Sequence, residues 1–237
     1  MKKAPKILVL TAFVLFFANL STAQQVSIGL RSGINWSDVY TTAGLDALTP
    51  DFTSLNALHV AAVAEIGISE HFAIQPEFVY SRKGFVVSED FNLELFDIPL
   101  PVGVTAESRF GYIDVPLLAK YKFGSAQVGG YVAAGPTFGY ALNGRLITRA
   151  DALLDIKISD TDINLNSIDY ERWEVGAAAA AGLTVHTGFG QIFADARYTR
   201  GFTQLYDIPV VDENIKNQGF ALSLGFLVPL SGAKIRP

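Results

Sequence analysis

Cysteine is absent from the 237 residues, which excludes disulfides, thiolate nucleophiles and cysteine-ligated metal. Histidine is scarce. The three present, His59, His71 and His186, fall in separate elements without metal-ligand spacing, so each reads as a solvated or interior residue, and no metal or cofactor is expected. No G-x-S-x-G elbow, H-E-x-x-H zinc helix or G-x-x-x-x-G-K-[ST] phosphate loop occurs, and Gly188-Phe189-Gly190 lacks the third glycine of a dinucleotide fingerprint. These absences point away from an enzyme. Only 17% of residues are charged, with a formal net charge of −5 and no basic stripe, which argues against nucleic acid as a partner.

What is present begins with a leader. Lys2, Lys3 and Lys6 precede an apolar run from Ile7 to Ala18, followed by Ser21-Thr22-Ala23, the three regions of a secretory signal peptide over residues 1–23. The run is shorter than the roughly 20 residues of a spanning helix. Cleavage before Gln24 takes the charge to −8, and the missing cysteine excludes a lipoprotein anchor.

The rest alternates with a period of two. Val26, Ile28, Leu30, Ile34 and Trp36 oppose Ser27, Gly29, Arg31, Gly33 and Asn35, and the same pattern recurs over Leu58–Ile68, Phe72–Lys83, Arg109–Phe123, Gln127–Tyr140, Trp173–Val185, Ile192–Thr199 and Asn217–Val228. Pro76 cannot donate to a ladder, so a bulge or an unpaired position is expected there. Short turns fall at residues 69–71, 124–125 and 186–190; segments without a sustained period, read as long loops, fall at 37–57, 84–108, 141–170 and 203–216. Eight strands joined long, short, long, short, long, short, long predict an all-β, eight-stranded antiparallel up-and-down transmembrane β-barrel spanning residues 24–230, with short periplasmic turns, long extracellular loops and a tail at 231–237. Two charge-free stretches, Phe123–Gly144 and Val175–Ala194, have the length of a membrane helix, and Ala177–Ala181 favours one locally, but six and four glycines respectively oppose it.

The strand faces turned from lipid carry Arg31, Glu65, Glu77, Lys83, Asp114, Lys120, Arg172, Glu174, Asp195 and Arg197. Inside a barrel such groups must pair, because stranded charge is costly. The reading favoured is a salt-bridged core plugging a narrow lumen, and the alternative is a gated polar path. Trp36, Tyr80, Tyr140, Trp173 and Tyr198 near loop-side strand ends, with Phe72, Tyr121, Phe123 and Phe189 near turn-side ends, fit two interfacial girdles.

In the last strand, Asn217, Gly219, Leu222, Leu224 and Phe226 resemble the terminal assembly signal of outer-membrane barrels, although the chain continues past it through Pro229 to Pro237. GLRSGINWSD, IGISEHFAIQPEFVYSRKGF, YIDVPLLAKYKFG and GYVAAGPTFGY resemble the PorT-like outer-membrane β-barrel family of Bacteroidetes over most of the mature chain. The resemblance implies a porin-like barrel of the cell outer membrane, with one branch accessory to protein secretion, and brings no catalytic residues. Expected partners are outer-membrane lipid, the barrel-assembly machinery during biogenesis, and envelope or secretion-system proteins. The leading expectation is a non-enzymatic barrel acting through its acidic surface loops. Its alternatives are a small passive channel for polar solutes, a soluble lipocalin-like carrier, and a membrane-embedded lipid-modifying enzyme in which His59 works with a loop serine.

Overall fold

The structure, a computed structural model, describes residues 25–40, 52–95, 98–125, 127–151, 155–165, 170–205 and 215–230. The expected leader at 1–23 and tail at 231–237 lie outside the described residues. Nine strands follow in order: β1 Gln25–Tyr40, β2 Phe52–Gly67, β3 Phe72–Leu95, β4 Ile98–Gly124, β5 Val128–Asp151, β6 Asp155–Ile163, β7 Trp173–Thr187, β8 Gly190–Gly201 and β9 Lys216–Pro229. All pairings are antiparallel. β1 pairs with both β2 and β9, and β4 pairs with β5, so eight strands close into a barrel while β6 folds back on the far half of β5. Closure removes the exposed edges that an open sheet would leave in lipid.

Alternation sets which way each strand faces. Leu30, Leu58, Leu183 and Leu224 point outward and are about two-thirds exposed or more, while Arg31, His59, Thr184 and Ser223 beside them are buried inside. A soluble carrier would reverse these faces, and the outward apolar belt removes that alternative. The charge-free stretches are hairpin strands of β4–β5 and β7–β8, and Ala177–Ala181 lies within β7: pairing with β5 and β8 satisfies its backbone, which overrides the local helix propensity of alanine.

Three short turns close one end. Phe72 N donates to Ser69 Oγ at 3.1 Å, Ser125 N donates to Val128 O at 2.9 Å, and Thr187 Oγ1 donates to Gly190 O at 2.8 Å. Gly124, at φ +107°, supplies the left-handed residue that the second turn requires. Pro76 leaves an unpaired position rather than a bulge: the β2–β3 ladder skips from Val63↔Glu77 to Ile66↔Ile74 without a change of register. Pro116 and Pro136 interrupt the β3–β4 and β4–β5 ladders in the same way.

The other end departs from the expected loops. The segments 84–108 and 141–170 are not long loops: β3 and β4 stay paired as far as Leu95↔Ile98, and β5 pairs with β6 from Gly144↔Ile163 to Asp151↔Asp155. The hairpin of β3 and β4 runs 12 residues past Lys83, about 40 Å of strand. Beyond the hydrocarbon no lipid-facing side is required of these strands, so the membrane imposes no alternation on them. Pro99 and Pro101 fit because, among the described residues, that part of β4 pairs only with β3, leaving an edge where a missing donor is tolerated.

Candidate functional site

The interior is filled in tiers. At the turn end, Glu65 of β2 meets Lys120 at 2.7 Å and Lys122 at 3.2 Å, both from β4, and Lys120 donates on to Gln75 Oε1 at 2.9 Å. Lys120 is fully buried, its ammonium 3.9 Å from the centroid of the Tyr131 ring. Gln75 then donates to Glu77 at 2.6 Å, which joins this tier to the next.

Glu77 is the hub at mid-height. Arg197 of β8 grips it with two hydrogen bonds of 2.8 Å, and Arg31 of β1 approaches at 3.1 Å. Asp195 completes the group, 3.5 Å from Arg31 and 3.7 Å from Arg197, and accepts from the Tyr131 hydroxyl at 2.9 Å. Two cations and two anions alternate in a site closed to solvent, where either sign left alone would be expensive. Ala61, Val63, Val79, Leu118, Ala133, Phe193 and Leu227 pack around it.

Toward the loops, Lys83 of β3 bridges Asp114 of β4 at 2.8 Å and Glu174 of β7 at 2.6 Å. Asn217 of β9 donates to Glu174, and Ser81 donates to Asp114 at 3.2 Å. Every barrel strand thus supplies a polar side chain to the interior, and the five cations Arg31, Lys83, Lys120, Lys122 and Arg197 balance the five carboxylates Glu65, Glu77, Asp114, Glu174 and Asp195. A cavity of about 80 Å³ lies between the upper two tiers, bordered by Arg31, His59, Lys83, Asp114 and Arg197. It has room for water molecules but not for a solute the size of a sugar. Above it, Val39, Phe110, Tyr112, Ala141, Leu165, Tyr170 and Leu205 form an apolar cap, with Phe110 and Tyr170 stacked at 4.7 Å and the Tyr112 and Tyr170 hydroxyls bonded at 2.6 Å.

Nine of the ten residues expected in the lumen network lie in these tiers. Arg172 does not: it sits just ahead of β7, half-buried, and makes no ion pair among the described residues. Sequence reasoning missed Gln75, Tyr131, Lys122 and the cap, because their roles depend on which strands face across the lumen. Asn217, expected only in the assembly signal, also seals the interior. Its companions Leu222 and Leu224 face lipid, Phe226 packs on Phe189 at 5.8 Å, and Gly219 lies opposite Ser37 and Thr199. Trp173 packs on Tyr140 at 4.8 Å and Trp36 on Phe220 at 6.0 Å toward the loop end, while Tyr121 lies between Phe72 and Phe123 at 5.0 and 6.3 Å toward the turns. Tyr80 and Tyr198 also face outward at the loop-side level.

His59 has a serine partner, but on a strand and inside the wall: its Nε2 lies 3.1 Å from Ser223 Oγ. Its Nδ1 is buried with no hydrogen-bond partner among the described residues, so none of them orients the ring as the third member of a triad does.

Fold and interior together define an integral membrane β-barrel with a salt-bridged polar interior, held in the bilayer by an apolar outer belt. The chain belongs to the outer membrane protein beta-barrel domain family, whose sequence profile matches residues 17–207. Its place is the outer membrane. No curated protein matches the sequence closely enough to transfer a role. Among solved structures it is similar to Ail, the attachment invasion locus protein of Yersinia pestis, at 14% identity over 86% of this chain and 99% of that one, TM-score 0.41. It is also similar to Neisserial surface protein A at 13% identity over 85% and 96%, TM-score 0.43, and to OprG from Pseudomonas aeruginosa at 14% over 88% and 97%, TM-score 0.42.

Proposed function

We propose that the protein is a non-conducting, non-enzymatic outer-membrane barrel whose work is done by the extracellular sheet of β3 to β6, in contact with an envelope component or a secretion-system protein, as the PorT-like resemblance suggests. The observation that carries this reading is the interior: among the described residues, ion pairs drawn from six of the eight barrel strands, joined by Tyr131 of β5 and Asn217 of β9 and overlain by an apolar cap, fill the lumen. Such a barrel serves as a rigid membrane anchor, and the part free to recognise a partner is the hairpin sheet beyond it. The same reading places export under the leader at 1–23, the mature chain beginning at Gln24, insertion by the barrel-assembly machinery, and outer-membrane lipid around the belt. A small passive channel is the competing role.

Planar-bilayer recording on the reconstituted protein decides between the two. The wild-type chain is expected to show no resolved conductance steps. Steady openings in the wild type would overturn the plugged reading and favour the channel.

A further inference from the structure

A second polar site lies on the outer wall, where nothing in the plug or the proposed partner role uses it. Arg82 of β3, Arg109 of β4 and Arg145 of β5 border a cleft of about 570 Å³ together with Tyr80, Gly111 and Asn143. The register explains the cleft. Arg82 lies opposite Gly111, Gly111 opposite Asn143, and one step farther from the barrel Arg109 lies directly opposite Arg145. With no side chain at Gly111, the Asn143 amide packs over its backbone beside the Tyr80 hydroxyl: a Cβ there would come within 2.8 Å of Asn143 Oδ1 and 3.6 Å of the Tyr80 hydroxyl. Tyr80 belongs to the loop-side aromatic level, so these arginines stand just beyond the hydrocarbon, among headgroups.

Like charges directly opposite on neighbouring strands repel. Glu107 offsets this by holding Arg109 with contacts of 2.5 and 2.8 Å and Arg149 at 3.3 Å, while Arg145 meets Asp162 at 3.0 Å and Asp160 at 3.8 Å. Arg82, exposed, has no carboxylate within ion-pair distance among the described residues. Among the described residues Arg109, Arg145 and Arg149 each meet a carboxylate, and Arg82 does not. Guanidinium groups bind phosphate through paired N–H donors, and two of the three here are already held in place by carboxylates. On a chain of net charge −5 facing an anionic leaflet, a fixed cationic recess at headgroup height is placed for a lipid anion.

The geometry points to this cleft as a binding site for the phosphorylated sugar headgroup of an outer-leaflet glycolipid, the phosphate between Arg82 and Arg145 and the sugar hydroxyls toward Asn143 and Tyr80. The site fixes the barrel's height and orientation in the leaflet and leaves the lumen untouched.

Native mass spectrometry of the full chain in neutral detergent tests it, with diphosphoryl lipid A as the probe and fully dephosphorylated lipid A as its counterpart. The wild type is expected to retain the phosphorylated form and to bind the dephosphorylated form at least about tenfold more weakly, as the loss of a charge-assisted contact implies. Arg82→Gln/Arg145→Gln is expected to lose a similar factor for the phosphorylated form, and so is Gly111→Val, which pushes the Asn143 amide out into the cleft without changing charge. Arg172→Gln, elsewhere on the loop side, should bind as the wild type does. Equal retention of the two lipids overturns the site, as does wild-type affinity in both cleft variants. Displacement by inorganic phosphate at concentrations matching the lipid would show a free-anion site and overturn the headgroup assignment. The two-lipid comparison needs only the wild-type chain, so it decides even where a variant fails to fold.

Discussion

Glu77 is the residue on which the interior depends most, because one carboxylate holds two guanidinium groups that would otherwise face each other. Its side chain is fully buried, as nearly are Arg31 and Arg197. Removing it in Glu77→Ala strands one positive charge against Asp195 and leaves another uncompensated, a loss of about 3–5 kcal/mol. Lys122 offers the contrast: it is 30% exposed at the rim, and Glu65 keeps Lys120 when Lys122 is gone, so Lys122→Ala is expected to cost less than about 1 kcal/mol. Urea unfolding in lipid vesicles, followed by the gel mobility of unheated samples, measures both. Equal midpoints for the two variants would show that the mid-level pairs do not hold the barrel together. The charges themselves were legible in the sequence as polar residues on the faces opposite Phe and Leu. Which carboxylate meets which cation was not, since Arg31, Glu77 and Arg197 are brought together from strands far apart in the chain.

At the scale of elements, the barrel strands and the extracellular sheet obey different constraints. Inside the membrane every strand has a dry outer face and a packed inner one, so β7, β8 and β9 show their faces residue by residue. Beyond the membrane, β6 and the far halves of β3, β4 and β5 are held by backbone ladders, and a sequence with no sustained period conceals them. The barrel therefore does not need the distal hairpin. Joining Val86 to Glu107, which are paired in register, through a two-residue Asn-Gly link removes the hairpin tip without disturbing the cap. The trimmed protein is expected to keep its heat-dependent gel shift while losing surface contact with its partner. Loss of the shift would mean that the outer sheet helps to close the barrel.

For the whole molecule, the direction of insertion follows from the asymmetry of its ends: outer-membrane barrels turn short connections to the periplasm and long ones outward. The absence of cysteine makes this testable with single labels. Cysteine at Arg145, exposed on the outer sheet, is expected to react with an impermeant maleimide on intact cells, and cysteine at Glu70, in the first short turn, only after the outer membrane is opened. Reversed labelling would invert the orientation, exchanging the proposed surface sheet for a periplasmic one.

The sequence by itself determined the strand number of the barrel, the lipid and lumen faces of each strand, and the chemical character of the interior. Each of these follows from a two-residue period set against a sharp boundary between hydrocarbon and a polar core. Only the tertiary structure decided the pairing partners within the plug, the apolar cap drawn from five loop-side segments, the outward hairpins and the arginine cleft. Those features depend on strand register and on residues from distant segments meeting at one height of the wall. A period along a single strand carries no record of what stands beside it.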